Sequence, residues 1–148
     1  MQTSQGRHDP STRWEHYEHD ADIGVRGIGP TKPLAFEQAA LALIAVMVDP
    51  SCVQNRESIA VTCEAPDDEL LLAEWLNALV YEIATRGMLF RDVKVSIDGT
   101  RLTAELTGEH IDPQRHRPAV EVKGATYTTL RVAQEKDGTW IAQTVVDV

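Results

Sequence analysis

The sequence predicts an α+β fold, with a largely antiparallel or mixed β-sheet and two main helices. Two long segments repeat apolar residues at the helical period, and the other apolar segments are short and alternate at period two. Two connections contain Asp-Gly pairs, at 98–99 and 137–138, which are typical of tight β-hairpins. Because hairpins rather than alternating helices link most strands, we expect no doubly wound parallel sheet.

The first half of the chain predicts two short strands, a helix and a third strand. The two strands lie at 14–18 and 23–28, and a Gly-Pro pair ends the second. Residues 57–64 alternate apolar and polar side chains and predict the third strand. The helix begins near Pro33, and its apolar residues share one face: Phe36, Ala40, Leu43, Ile44 and Met47.

The second half predicts the longest helix and then hairpin-linked strands. Asp67 is a good N-cap and Gly87 ends the helix. Its apolar stripe is formed by Leu72, Trp75, Leu76, Leu79, Val80 and Ile83. Strands are predicted at 90–97, 102–106, within 120–133, and at 140–148. Residues 108–118 predict a turn-rich connection, in which we interpret His110 and His116 as loop residues.

Length and composition suit a single globular domain at 14–148, preceded by a flexible polar leader at 1–13. The net charge of −9 argues against a broad nucleic-acid-binding surface, because such surfaces use Lys and Arg to neutralise phosphates. Cys52 and Cys63 match neither a disulfide framework nor a zinc site, so we expect reduced cysteines in a cytoplasmic protein. No apolar run reaches the roughly 20 residues of a membrane span.

Acidic residues are crowded in the stretch EHDADIGVRG, residues 18–27. Asp and Glu supply the hard oxygen ligands that Mg²⁺, Mn²⁺ and Ca²⁺ prefer. In an extended chain Asp20 and Asp22 share one face, and His19 points the other way. The residues alone leave two interpretations open: part of a cation site, or a solvated acidic turn.

Two further features carry candidate chemistry. The sequence ends VVDV, so a carboxylate at Val148 would follow the side chain of Asp147 directly. A bound cation would relieve their repulsion, and the alternative is an end that frays into water. Lys123, in the stretch EVKGATY, could pair with carboxylates, bind phosphate or face solvent. The nucleotide-binding, nucleophile-elbow, zinc-protease and EF-hand motifs are absent from the sequence.

Six motifs occur in order and together resemble the archease family: HDADIG, a helix with FEQAA, a helix with LLLAEWLNALVYE, a TGE turn, EVKGATY and the final VVDV. The resemblance covers 14–148. It implies a non-catalytic accessory protein of the GTP-dependent RNA-splicing ligase, which joins RNA ends in tRNA splicing and RNA repair. That ligase is guanylylated on a histidine and uses Mn²⁺, and the family promotes this guanylylation and multiple turnover.

The resemblance also implies site residues. A divalent cation, Ca²⁺ in the isolated protein with Mn²⁺ or Mg²⁺ as alternatives, would be held by Asp22, Asp147 and Val148. Lys123 matches the lysine implicated in activating the ligase, and His19 and Asp20 are further candidates. The family motif reads HTAD where this chain reads HDAD, so Asp20 adds a carboxylate. The alternatives are a stand-alone metal-dependent phosphoesterase or nuclease, and a chaperone-like adaptor.

Overall fold

The computed structural model describes residues 11–148, so most of the predicted leader lies outside the described residues. In chain order the elements are β1 (Arg13–His19), β2 (Asp22–Gly29), α1 (Lys32–Met47), β3 (Glu57–Glu64), α2 (Asp68–Arg86), β4 (Met88–Asp98), β5 (Arg101–His110), α3 (Pro113–His116), β6 (Gly124–Ala125), β7 (Arg131–Gln134) and β8 (Trp140–Asp147). A 3₁₀ turn lies at Pro50–Cys52. The α+β class with two main helices is confirmed.

The strands form two antiparallel sheets. The first has the order β1-β2-β8-β6, and β7 also pairs with β8. The second has the order β3-β5-β4. In the first sheet β8 pairs with β2 on one side, so the last strand of the chain lies beside the second. This pairing places residues from opposite ends of the sequence at one edge.

Local signals in the sequence define the ends of both main helices. The side chain of Thr31 caps α1 by accepting a hydrogen bond from the Leu34 N–H at 3.3 Å. Asp67 caps α2 in the same way, accepting from the Leu70 N–H at 2.8 Å. Gly87 ends α2 in the left-handed conformation, with φ at 63°. None of the helices in residues 11–148 is long and apolar enough to cross a membrane.

The core lies between the sheets and the helices, because α1 and α2 each contact strands of both sheets. The predicted apolar face of α1 is buried, and so is the stripe on α2 except for the half-buried Val80. Trp75 is fully buried, and its indole N–H donates to the Phe36 carbonyl oxygen at 3.0 Å, which links the two helices. The sequence did not indicate that the strands divide into two sheets.

Two predictions about the last third of the chain were wrong. Strand structure within 120–133 is restricted to the two-residue β6 and the four-residue β7. The main chain before β6 bonds elsewhere, with the Ala119 N–H donating to the Met47 carbonyl oxygen at 2.8 Å. The connection predicted at 108–118 begins only after His110, because β5 continues to that residue and includes the predicted TGE turn. The nearby sequence does not indicate either difference, because the hydrogen-bonding partners of these segments are distant in sequence.

Candidate functional site

The beginning of β2 and the end of β8 meet at one edge of the first sheet. Ile23 pairs with Val146 in an antiparallel register, which places Asp22 across from Asp147. The N–H of Val148 donates to Oδ1 of Asp22 at 3.4 Å, although 126 residues separate the two. The three predicted cation ligands therefore lie together.

The side chains of Asp22 and Asp147 lie on the same face of the sheet. Val25 and Val146 belong to the buried core, so alternation directs Asp22 and Asp147 to the opposite face. Like charges directly across a strand pair are destabilising. Asp147 is exposed and Asp22 is half-buried, so water can reach both carboxylates.

The acidic donor atoms at this edge are all oxygens, the donor type that Ca²⁺ and Mg²⁺ prefer. Among residues 11–148, no group of three or more His, Cys, Asp or Glu side chains is spaced to hold a metal ion. This edge offers two such side chains, and a main-chain carboxylate at Val148 would be the third acidic group. Ca²⁺ takes six to eight oxygen ligands, so backbone carbonyls and water would complete its shell. The set lacks the nitrogen and sulfur donors typical of zinc sites.

Tyr17 covers the hairpin behind this edge. It lies across from Gly24, and a Cβ at that position would overlap the tyrosine ring. The Arg26 guanidinium lies 4.5 Å from the ring centroid, in cation–π geometry. The Tyr17 hydroxyl lies 2.6 Å from Oγ1 of Thr129, in the segment between β6 and β7. Tyr17 thereby links the β1–β2 hairpin to the far side of the sheet.

Asp20 and Ala21 form the turn between β1 and β2, and His19 pairs with Asp22 at its base. Asp20 has φ at 53°, in the left-handed region that Asp tolerates better than β-branched residues do. Its side chain is 93% exposed, and its carboxylate lies 3.9 Å from Nδ1 of His19. The additional carboxylate therefore lies at the tip of the turn.

Lys123 reaches the same edge from the other side of β8. Its N–H donates to the Asp147 carbonyl oxygen at 2.7 Å, and the next residue, Gly124, pairs with Asp147. The side chain of Lys123 is exposed. Three segments that are distant in sequence, at residues 22, 123 and 147, therefore converge.

A buried ion cluster near the end of β5 was not predicted. Glu109 is only 3% exposed and accepts two hydrogen bonds from Arg115, at 2.6 and 2.9 Å. It also accepts from the Gln54 N–H at 2.7 Å. The hydrogen bonds from Arg115, aided by that of Gln54, hold the pKa of Glu109 far below its ordinary value.

The interpretation of His116 as a loop residue was wrong, because it lies in α3 and its side chain is buried in this cluster. Its Nδ1 accepts from the Asp112 N–H at 2.8 Å, so Nε2 carries the proton and donates to Glu109 at 3.0 Å. The interpretation of His110 as a loop residue was also wrong, because it is the last residue of β5; its side chain is exposed and lies 3.8 Å from Glu57. The cluster anchors the connection that leads from β5 towards Lys123.

Comparison with known proteins identifies the family. The model of the Archease protein family (MTH1598/TM1083) matches residues 14–148. The chain belongs to the archease family. The archease of Thermococcus gammatolerans is 46% identical over 140 residues, which cover 92% of this chain and 99% of the relative. The archease of Pyrococcus abyssi is 42% identical with the same coverage.

Two solved structures are also similar to this archease. The solution structure of protein 1598 from Methanobacterium thermoautotrophicum is 31% identical, with a TM-score of 0.75, and the match covers 91% of this chain and 98% of that one. The crystal structure of an archease from Thermotoga maritima has a TM-score of 0.58 at 16% identity, and the match covers 98% and 100% of the two chains. At that identity the second structure supports the fold alone.

Proposed function

We propose that this archease is a non-catalytic cytoplasmic accessory protein of the GTP-dependent RNA-splicing ligase, and that it promotes guanylylation and multiple turnover of the ligase in tRNA splicing and RNA repair. Membership of the family supports this function. The observation that carries it is the convergence of Asp22 with Asp147 and Val148 at one sheet edge.

Asp22, Asp147 and the carboxylate of Val148 would hold one divalent cation, Ca²⁺ in the isolated protein and Mn²⁺ or Mg²⁺ as alternatives. A bound cation would supply the positive charge that offsets the repulsion between the carboxylates facing each other across β2 and β8. The α1-facing side of both strands is buried in the core, so the ligands stand on a rigid base.

The residues around the carboxylates would contact the ligase. Lys123 is exposed, and its main chain is bonded to Asp147, so its ammonium can meet a phosphate of GTP or a ligase carboxylate. Asp20 lies in the turn beside Asp22, His19 lies at the base of that turn, and both present side chains to an approaching surface. These side chains bind and orient groups of the ligase, and the archease forms no covalent intermediate.

The test is guanylylation of the ligase at limiting ligase concentration, with wild-type archease and the Asp22→Asn variant. Asn keeps an acceptor for the Val148 N–H but removes the charge, so we expect the stimulation to be lost. Asp98→Asn, at the exposed turn between β4 and β5, is the matched control and should stimulate like wild type. Full stimulation by Asp22→Asn would contradict the proposal.

Two other experiments separate the alternatives. Hydrolysis of RNA by the protein alone with Mn²⁺ would indicate a phosphoesterase or nuclease. The Thermotoga maritima archease is described as a possible chaperone, and recovery of many unrelated clients would favour that role here. An adaptor of that kind needs a broad apolar patch. Within residues 11–148, the exposed large apolar side chains come from four separate segments: Trp14, Tyr81, Val120 and Tyr127.

A further inference from the structure

Asn77 lies midway along α2 on an exposed face, where a stronger helix former would be expected. Asn is a weak helix former, because its amide competes for backbone hydrogen bonds. Here the amide bonds to a segment 48 residues further along the chain. Its Oδ1 accepts from the Ala125 N–H at 2.9 Å, and its Nδ2 donates to the Ala125 carbonyl oxygen at 3.3 Å.

These two hydrogen bonds take the place of a second neighbouring strand beside β6. β6 is only two residues long and pairs with β8 on one side. On that side the N–H groups of Lys123 and Thr126 donate to Asp147 and Val145, at 2.7 and 2.9 Å. On the other side Asn77 offers Ala125 one donor and one acceptor, as a neighbouring strand does. The short strand is therefore held from both sides.

The cation ligands depend on Asn77 much less than Lys123 does. Asp22 and Asp147 belong to β2 and β8, which pair directly along seven residues from Ile23–Val146 to Gly29–Trp140. Lys123 lies outside that pairing and reaches the edge through the main chain that leads into β6. Freeing Ala125 would loosen Lys123 while leaving the two acidic strands paired.

We propose that Asn77 is a positioning residue that fixes the main chain of residues 123–125 and so holds Lys123 beside the candidate cation site. The consequence for the ligase rests on the proposed function. The consequence for the protein alone does not, because the order of β6 can be measured without any partner.

The test uses Asn77→Ala, with Thr85→Ala as the matched control. Ala favours the helix at either position, and the Thr85 hydroxyl donates to the Tyr81 carbonyl oxygen of the same helix at 2.7 Å. Amide exchange at Ala125 should rise by roughly tenfold in Asn77→Ala, since the lost bonds are each of ordinary strength. Exchange in β2 and β8 and the affinity for Ca²⁺ should change less than about twofold.

The ligase assay then tests whether Asn77 acts through Lys123. Asn77→Ala should lower stimulation of guanylylation towards the level of Lys123→Ala, and the double variant should be no worse than Lys123→Ala alone. Additive losses, or unchanged exchange at Ala125, would overturn the positioning role. If Lys123→Ala stimulates normally, the proposed role of Lys123 fails, and the exchange at Ala125 still decides whether Asn77 holds β6.

Discussion

The N–H of Val148 lies 3.4 Å from Oδ1 of Asp22, which connects the last residue of the sequence to the start of the second strand. Register brings the Asp147 side chain to the same place, across from Asp22. One acidic edge thus combines residues that sequence spacing alone does not relate.

Neutralising Asp22 should weaken the binding of Ca²⁺. Asp22→Asn preserves the size of the side chain and removes one of the charged ligands, so we expect the affinity to fall by at least about tenfold. Calorimetric titration with Ca²⁺ measures this. Asp98→Asn changes the net charge equally at the exposed β4–β5 turn, so a similar loss there would mean that overall charge, and not this site, controls binding.

Extending the chain beyond Val148 should also weaken binding. In a protein that ends at Val148, a short Gly-Ser extension converts the main-chain carboxylate there into a neutral amide and so removes one proposed charged ligand. We expect Ca²⁺ affinity to fall by about tenfold or more. The same extension placed before Met1 is the control. Equal affinities for the two extended proteins would exclude Val148 as a carboxylate ligand.

Replacing Asp20 with Thr should affect the turn more than the cation. The carboxylate is 93% exposed at a residue with φ at 53°. A β-branched residue is strained there, so the free energy of unfolding should fall by about 1 kcal/mol. Ca²⁺ affinity should change less than about twofold. A tenfold loss of affinity in Asp20→Thr would instead identify Asp20 as a ligand.

The buried cluster around Glu109 should make stability depend on pH in acid. Its pKa is held below the ordinary value of 4.5, chiefly by hydrogen bonds from Arg115. When folding lowers the pKa of a carboxyl group, the group stabilises the folded protein at pH values above its ordinary pKa. For Glu109 this contribution is lost progressively as the pH falls below about 4.5. Urea unfolding between pH 7 and pH 3 measures the loss.

Glu109→Gln should flatten that dependence and lower the free energy of unfolding at pH 7 by about 2 kcal/mol, because Arg115 loses its charged partner. Glu105→Gln, at an exposed position on the same strand, is the control and should keep the wild-type profile. An unchanged acid profile in Glu109→Gln would show that other carboxylates dominate acid unfolding.

The sequence predicted best where the cause of a structure is local. Asp67 caps the start of α2 with its side chain, and Gly87 ends the helix by adopting a left-handed backbone conformation. The Asp98-Gly99 pair lies at the tight turn that connects β4 to β5. These signals lie within a few residues of their effects. The resemblance to archeases, and not any local signal, indicated that Asp22 and Asp147 share a site, and the β2–β8 register agrees with their proximity.

Prediction failed where distant partners decide the structure. His116 reads as a loop residue because nothing near it indicates that Glu109 is buried beside it. The strand predicted around Lys123 shrinks to the two residues of β6, one side of which bonds to Asn77 of a helix. In both cases the polar partner lies on another element, and apolar periodicity carries no information about such bonds.

The pairing of β2 with β8 also bears on the lifetime of the folded molecule. Asp22 and Val148 are 126 positions apart in the sequence and must be brought together before this edge exists, whereas a short turn connects β4 and β5. Long closures cost entropy before their contacts form, so we expect the β2–β8 pair to assemble late in folding. A ligand that binds only when both strands are paired then stabilises the folded state and not the transition state for folding. It slows unfolding and leaves the folding rate unchanged.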